Sequence, residues 1–378
     1  MMQQALAFVG LLMASLGCLY LVCAAVASAR LGGKAISEPI APPSVTILKP
    51  LRGDEPDLFW NLASFCSQTY PAPVQLIFGV RDASDEAIAV VHRLKASFPH
   101  KDLHLVIEPA AHGTNPKISN VLNMMPAARH PFIVLADSDI GVPADYLLRV
   151  VAASEEPGVG GVTCLYRGVA VSGFWSRLAA LAIDAHFLPS VLVGLSSGLA
   201  KPCFGPTIAL HRSRLDEIGG FEAFSDTLAD DYAIGAALRE KGLRIAIPPL
   251  LVEHSCGESS FAQLWRHELR WARTILTVAP LGYAGSLVTH PLPFALLAFA
   301  AGTPVAGSAL AILAILCRIV LLHVATRSHS RALPPYWLIP IRDLLSFAIF
   351  VWSFCGRDVV WRGRNYRVRA NGTMLCAD

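Results

Sequence analysis

Phe132-Ile133-Val134-Leu135-Ala136 is a short apolar run that stops directly on Asp137-Ser138-Asp139. Its length is that of a buried strand rather than a helix. Similar runs recur through the middle of the chain. Residues 45–48 end in Lys49-Pro50, residues 74–80 end in Arg81-Asp82, and residues 103–107 form another. Further candidates are 159–165, 207–210 and 243–247. Between the runs, 57–66 can form a helix and 86–98 has helical periodicity. Strands alternating with helices predict a largely parallel α/β sheet. Ligands of such sheets bind beyond the carboxyl ends of strands, where Asp82 and the Asp137/Asp139 pair fall.

Outside this middle region the charge disappears. Only 16% of the 378 residues are charged, against roughly 25% in an average soluble protein. Mean hydropathy is +0.49. These values exclude a purely soluble enzyme, a disordered chain and a nucleic-acid binder with a basic surface. The net charge of +3 is too small to name a partner. Residues 1–29 and 274–317 contain no Asp, Glu, Lys or Arg, and all but three of the 28 acids lie between Arg30 and Arg273. The chain therefore divides into an N-terminal anchor (1–29), a polar domain (30–273), a C-terminal membrane region (274–356) and a basic tail (357–378).

Residues 5–29 are long enough for a span, which needs about 20 apolar residues. The first charge follows the segment, so it reads as an uncleaved anchor rather than a signal peptide. Arg30 and Lys34 then put the polar domain on the cytoplasmic side. Residues 287–303 and 305–325 read as a helical hairpin bent at Gly302-Thr303-Pro304. Residues 335–355 form a third segment, but Arg342 and Asp343 within it are costly in lipid unless paired or interfacial. Arg327 and Arg331 precede it, and Arg357, Arg362, Arg364, Arg367 and Arg369 follow it. The positive-inside rule cannot satisfy both flanks if this segment crosses. Either it is re-entrant or interfacial, or the tail lies outside. The nine cysteines show no zinc-like spacing and read as reduced buried thiols. Asn371-Gly372-Thr373 fits a glycosylation sequon, and a chance match is preferred.

Four stretches carry candidate chemistry. Asp137 and Asp139 can share a hard divalent cation that also keeps diphosphate oxygens, or Asp139 can cap a helix opened near Pro143. Asp82 can accept from a nucleobase or sugar, or cap the following helix. Asp230-Asp231-Tyr232 opens a periodic helix. Capping at the positive helix end is one reading, and a general base with raised proton affinity is the other. In residues 265–273, His267, Arg270 and Trp271 share a helix face. Arg suits phosphate and Trp suits stacking, and both also suit an interfacial helix. Residues 168–205 are apolar enough to lie on the membrane, or to be a buried core helix. His186 there reads as packed or interfacial.

Leu48-Lys49-Pro50-Leu51-Arg52-Gly53, Asn115-Pro116-Lys117-Ile118-Ser119-Asn120, Asp137-Ser138-Asp139, Gly219-Gly220-Phe221, Asp230-Asp231-Tyr232 and Arg270-Trp271 occur in this order around an anchored domain. In that arrangement the chain resembles membrane glycosyltransferases of the family-2 type, most closely the ceramide glucosyltransferase branch with its bacterial hopanoid-glycosylating relatives. The resemblance covers nearly the whole chain. It implies a GT-A (Rossmann-like) α/β domain with an N-terminal transmembrane helix and C-terminal transmembrane or interfacial helices. It also implies inverting transfer from a UDP-sugar, UDP-glucose or UDP-N-acetylglucosamine, to a hydroxyl of a membrane lipid, a hopanoid polyol or ceramide. Asp82 matches the nucleotide contact, Asp137 and Asp139 the Mg2+ or Mn2+ and diphosphate element, and Asp231 the catalytic base. Lys117 faces the nucleotide in this reading. Arg270 and Trp271 match the end of a Gln/Arg-x-x-Arg-Trp signature near diphosphate and acceptor. Its first position is His267 here, which leaves the hydrogen-bonding role to His267 or Arg266. The full Asp-Ser-Asp and Arg-His-Glu-Leu-Arg-Trp stretches lean towards the hopanoid branch, an integral protein of a bacterial inner membrane with its catalytic domain in the cytoplasm. A processive polysaccharide synthase is disfavoured by the few membrane segments, and a catalytically inactive nucleotide-sugar-binding scaffold by the retained acids.

Overall fold

A computed structural model describes residues 1–30, 39–327, 333–356, 358–361, 364–368 and 373–376. Lys34, Arg331, Arg357, Arg362, Arg369 and the sequon residues Asn371 and Gly372 lie outside the described residues. Two compact units form, each from three separate stretches of sequence. A sheet unit takes Lys34–Val171, Lys201–Gly257 and Arg364–Asp378, and a membrane unit takes Met1–Gly33, Ser172–Ala200 and Glu258–Gly363.

After α1 (Met2–Ala29), the sheet unit begins with strict alternation: β1 (Val45–Pro50), α2 (Leu58–Cys66), β2 (Val74–Val80), α3 (Ala87–Ser97), β3 (Asp102–Ile107), α4 (Pro116–Met124) and β4 (Phe132–Leu135). β5 (Ile140–Gly141), α5 (Tyr146–Ser154), β6 (Val159–Thr163) and β7 (Leu165–Ala170) follow. The chain then enters the membrane unit through α6 (Gly173–Ala182) and α7 (Leu188–Ser196). It returns as β8 (Ile208–His211), α8 (Arg212–Glu217), α9 (Asp230–Glu240), β9 (Arg244–Ala246) and β10 (Leu251–Cys256).

Seven strands make the main sheet in the order β3-β2-β1-β4-β8-β6-β9. All are parallel except β8, which runs against β4 and β6. β1 and β4 are buried along their whole length, as fits strands covered on both faces. Leu48, Ile77, Ile133, Leu135, Ile208 and Leu210 of the sheet pack with α4 and α9 in one core. The apolar stretch 159–165 is not one strand. It breaks at buried Cys164, and β7 leaves for a small second sheet in which β10 pairs β5 antiparallel and β7 parallel.

The membrane unit holds α1, α6, α7, α10 (Phe261–Val278), α11 (Pro280–Gly285), α12 (Pro291–Ala300), α13 (Pro304–Thr326) and α14 (Ile339–Ser353). β11 (Asp358–Trp361) follows, and β12 (Arg364–Val368) pairs antiparallel with β13 (Met374–Cys376) in the sheet unit. Among the described residues, four helical stretches are long and apolar enough to cross a membrane: Met2–Ala29, Gly173–Ser196, Pro304–Thr326 and Tyr336–Ser353. The stretch 287–303 does not form one straight span. Pro291, which lacks an N–H and cannot continue a preceding helix, opens α12 at 60° to Pro280–Thr289.

Arg318 of α13 shows how irregular backbone is made tolerable in this unit. It donates to the Ala185 carbonyl, inside a π-turn at Ile183–Phe187, and to the Thr289 carbonyl just before the kink. Both are places where the helical ladder is disturbed, and a buried guanidinium supplies donors that lipid cannot. Arg318 also lies 3.1 Å from Asp343, while Arg342 grips both oxygens of Glu268 at 2.7 Å. The two charges inside the third apolar segment are therefore both paired.

α1 lies backbone-close on α12: a Cβ built on Gly10 would stand 2.8 Å from Ala298 N and Phe294 O. Small residues at such contacts allow the close packing on which helix association in lipid depends. Gly10→Leu should therefore cost about 1–3 kcal/mol by overpacking. The expected result is a lower unfolding midpoint in detergent, with Leu12→Ala on an exposed face of α1 as the neutral control.

Candidate active site

The carboxyl end of β4 passes directly into Asp137-Ser138-Asp139. β5 follows at once, and the next helix, α5, starts only at Tyr146. Asp139 thus caps no helix. Its Oδ2 lies 3.6 Å from His254 Nδ1, its carbonyl accepts from Ser255 N at 2.9 Å, and its buried Oδ1 has no hydrogen-bond partner among the described residues. Ser138 donates to Glu55. Beneath the turn, the fully buried Lys49 donates to the Asp137 carbonyl and stands 4.0 Å from the Phe65 ring centre. Burial pulls the Lys49 ammonium down to about 7, against the opposing pull of Asp139, Asp137 and Glu55.

Lys117 joins this turn to α9. Asn115 caps α4, its side chain accepting from Lys117 N at 2.9 Å and Ile118 N at 3.1 Å, with Pro116 in the first turn. The Asn115 amide donates to the Thr227 carbonyl at 2.8 Å and to Asp230 at 3.3 Å, pinning α4 to the start of α9. Lys117 Nζ then lies 2.7 Å from Asp137 Oδ1 and 3.4 Å from Asp230 Oδ2. Burial alone would lower its proton affinity, but Asp137, Asp230 and Asp231 outweigh it and hold the ammonium charged.

Ala229, not an aspartate, is the N-cap of α9, and Asp230 and Asp231 occupy its first turn. Asp231 accepts from Tyr232 N at 2.7 Å and Gly205 N at 2.8 Å. Desolvation, then the neighbouring Asp230, push its carboxyl up to about 6, with Lys117 and the two N–H groups pulling the other way. Gly205 closes the cluster. A Cβ there would stand 2.9 Å from Asp137 Oδ2, 3.4 Å from Lys117 Nζ and 3.6 Å from Asp231 Oδ2. It is held in place because Phe204 N donates to Thr163 Oγ1 at 2.8 Å and Thr207 N to the Phe204 carbonyl at 3.2 Å.

The sheet unit therefore brings Lys117, Asp137, Asp139 and Asp231 together. Asp82, at the end of β2, is exposed and accepts from Ser84 N at 2.9 Å and Ser84 Oγ at 2.7 Å, bonds that lower its proton affinity. It does not cap α3; Asp85 accepts from Ala87 N instead. His267, Arg270 and Trp271 belong to α10 of the membrane unit. His267 Nδ1 is 2.5 Å from Glu258, and its ring lies 4.4 Å from that of Trp271. Glu55, Gly205 and His254 are neighbours that the spacing of the motifs did not single out.

Two carboxylates on one turn, one with an unsatisfied buried oxygen, suit a hard divalent cation. Among the described residues no group of three or more His, Cys, Asp or Glu side chains is placed to hold a metal ion by itself. The remaining ligands of such an ion would be water or substrate oxygen. Gly205→Ala should push against a carboxylate that Lys117 already fixes, costing about 1–3 kcal/mol. The expected readout is a lower thermal midpoint in detergent, and an unchanged midpoint would contradict the close fit.

Sheet order and acidic turn together define a GT-A glycosyltransferase fold. A mannosyltransferase from Pyrobaculum calidifontis, solved with GDP-Man and Mn2+, superposes over 92% of this chain and 99% of its own at a TM-score of 0.53 and 20% identity. A family model described as Glycosyl transferase family 21 matches residues 7–374, and the chain belongs to that family. Ceramide glucosyltransferase 3 of Caenorhabditis elegans is 30% identical over 283 residues, 70% of this chain and 58% of its own. Ceramide glucosyltransferase 1 of the same organism is 27% identical over 63% of this chain and 51% of its own. A beta-monoglucosyldiacylglycerol synthase of Synechocystis sp. is 25% identical over 61% and 47%. The chain spans about half the length of these relatives.

Proposed function

We propose that the protein is an inverting lipid glycosyltransferase that moves glucose or N-acetylglucosamine from a UDP-sugar to a hydroxyl of a membrane lipid, with a hopanoid polyol or ceramide as acceptor. The observation that carries the reading is Asp231, a carboxylate of raised proton affinity fixed by two N–H groups beside the Lys117–Asp137 pair. Membership of family 21 and the printed names of its relatives support the reaction class. The position of Arg30 after α1 supports a cytoplasmic catalytic face, and a bacterial inner membrane goes with the hopanoid reading of the acceptor.

In this mechanism Asp231 takes the proton of the acceptor hydroxyl as its oxygen bonds to the anomeric carbon. The bond from that carbon to the diphosphate oxygen breaks with its electron pair, and UDP departs. Asp137 and Asp139 would hold a divalent cation, Mg2+ or Mn2+, which would supply positive charge for the departing diphosphate. Lys117 keeps Asp137 oriented and adds a fixed positive charge. Asp82 takes the nucleotide, and Arg270, Trp271 and His267 serve the diphosphate and acceptor side.

The test is to incubate purified protein with UDP-glucose or UDP-N-acetylglucosamine against ceramide or a hopanoid polyol, and identify products by mass spectrometry. Glycolipid formation supports the reading; UDP-sugar hydrolysis without a lipid product opposes it. Asp231→Asn should lower transfer by about 10²–10⁴-fold while UDP-sugar binding stays measurable by calorimetry. A base must be deprotonated to act, so kcat/KM should fall as pH drops through about 6; an acid limb absent down to pH 4 would remove Asp231 from the role. Exhaustive chelation should abolish transfer and added Mg2+ or Mn2+ restore it, whereas undiminished activity would take the cation out of the scheme.

A further inference from the structure

The alternation of β1 calls for an apolar residue at position 49. Leu48 faces the core shared with α4 and α9, so Lys49 takes the opposite face of the strand, the side of Ile47. Every residue of β1 is buried. In place of a hydrocarbon side chain the sequence puts a lysine that is buried completely, its Nζ 4.0 Å from the ring centre of Phe65 on α2. Burying an ammonium is costly, and lysine is almost never fully buried without a partner. Local violations of this kind are expected at functional or strained sites.

The residue that follows gives the lysine its task. β1 and β4 pair in parallel, with Leu48 opposite Leu135. Ala136 N donates to the Leu48 carbonyl at 3.1 Å. In a parallel ladder the next bond runs from the backbone N–H of residue 50 to the carbonyl of residue 136. Residue 50 is Pro50 and has no N–H, so the ladder stops there. β4 is thereby released from β1 just before Asp137-Ser138-Asp139. Lys49 takes over where the backbone stops: its Nζ donates to the Asp137 carbonyl, the next one along the chain.

The other tethers of the turn act around this point. Lys117 holds the Asp137 carboxylate at 2.7 Å, Ser138 donates to Glu55, and the Asp139 carbonyl accepts from Ser255 N at 2.9 Å. Asp139 Oδ1 is left as a buried oxygen with no hydrogen-bond partner among the described residues. The Lys49 tether fixes the peptide that joins Asp137 to Ser138. Rotation of that peptide would change the relation between the two flanking carboxylates. Losing a group that orients metal ligands costs about 10–100-fold in metal affinity.

We propose that Lys49 is a positioning residue for the divalent cation: it holds the Asp137–Ser138 peptide where Pro50 ends the ladder, and so keeps Asp137 and Asp139 in the relation in which one cation reaches both. The proposal rests on the assignment of the cation to Asp137 and Asp139 above. Position and charge have opposite consequences here. A positive charge beneath a cation site opposes cation binding by Coulomb repulsion, so removing Lys49 for its charge alone would tighten the site. Removing it as a tether loosens the site.

The test is Lys49→Met in the full chain purified in detergent, a substitution of similar length that suits an apolar strand face and cannot donate. Mn2+ binding is followed by electron paramagnetic resonance of the free ion at saturating UDP, and the thermal midpoint is measured without metal. The expected result is Mn2+ affinity lowered about tenfold or more. The midpoint should stay within about 4 °C, because loss of the buried charge offsets the carbonyl left without its donor. Mn2+ affinity that is unchanged or raised overturns the proposal. A larger fall in midpoint, or a chain that does not fold, overturns it too, by making Lys49 a structural residue. Failure of the unsubstituted chain to bind Mn2+ would instead remove the cation from the reading above, and this proposal with it.

Discussion

Lys117 brings a positive charge to a place where carboxylates from two distant parts of the chain converge. Asp137 arrives on β4 and Asp230 and Asp231 on α9, and three crowded anions would repel one another and shed charge. An ammonium among them makes the arrangement tolerable. Its own placement follows from Asn115, which caps α4 and bonds the start of α9 with the same side chain. Without that geometry Asp231 would lose the setting in which its proton affinity is raised but not fixed. The pairing also sets a boundary: removing one partner of a buried ion pair is far more damaging than replacing both.

The same physics recurs in the membrane unit. Arg318 is one buried cation serving two broken stretches of helix and one carboxylate. Water is absent from the hydrocarbon, so each carbonyl released by the π-turn or the kink requires a donor from within the protein. Irregular helices and a buried arginine are in this sense one feature. The small-residue contacts of Gly10 and Gly17 with α12 hold the frame on which that feature hangs.

Much of this was legible in the amino-acid pattern, because burial on both faces writes a strand as an unbroken apolar run. The run 132–136 became β4, and the Asp137/Asp139 pair fell at its carboxyl end. The break at Cys164 was not legible, because both halves of 159–165 are apolar and only pairing with different sheets separates them. The kink at His290 carried a sequence signal in Pro291, but the apolar run on either side of it reads as one span. Gly205 entered the cluster through contacts between segments far apart in sequence, and a lone glycine carries no periodic signal. Asp82 was readable as a strand-end carboxylate, but its hydrogen bonds to Ser84 were not.

β8 runs against its neighbours, so its amino end, not its carboxyl end, meets the carboxyl end of β4. The segment carrying Gly205 therefore enters the sheet where most loops leave it. It is tied on one side to Thr163 and on the other to Thr207. The chain between α7 and this tie is irregular. A residue gained or lost there is absorbed before Phe204 and is not passed on to Gly205. The register of the acid cluster is thereby insulated from the length of the connection that leads into it.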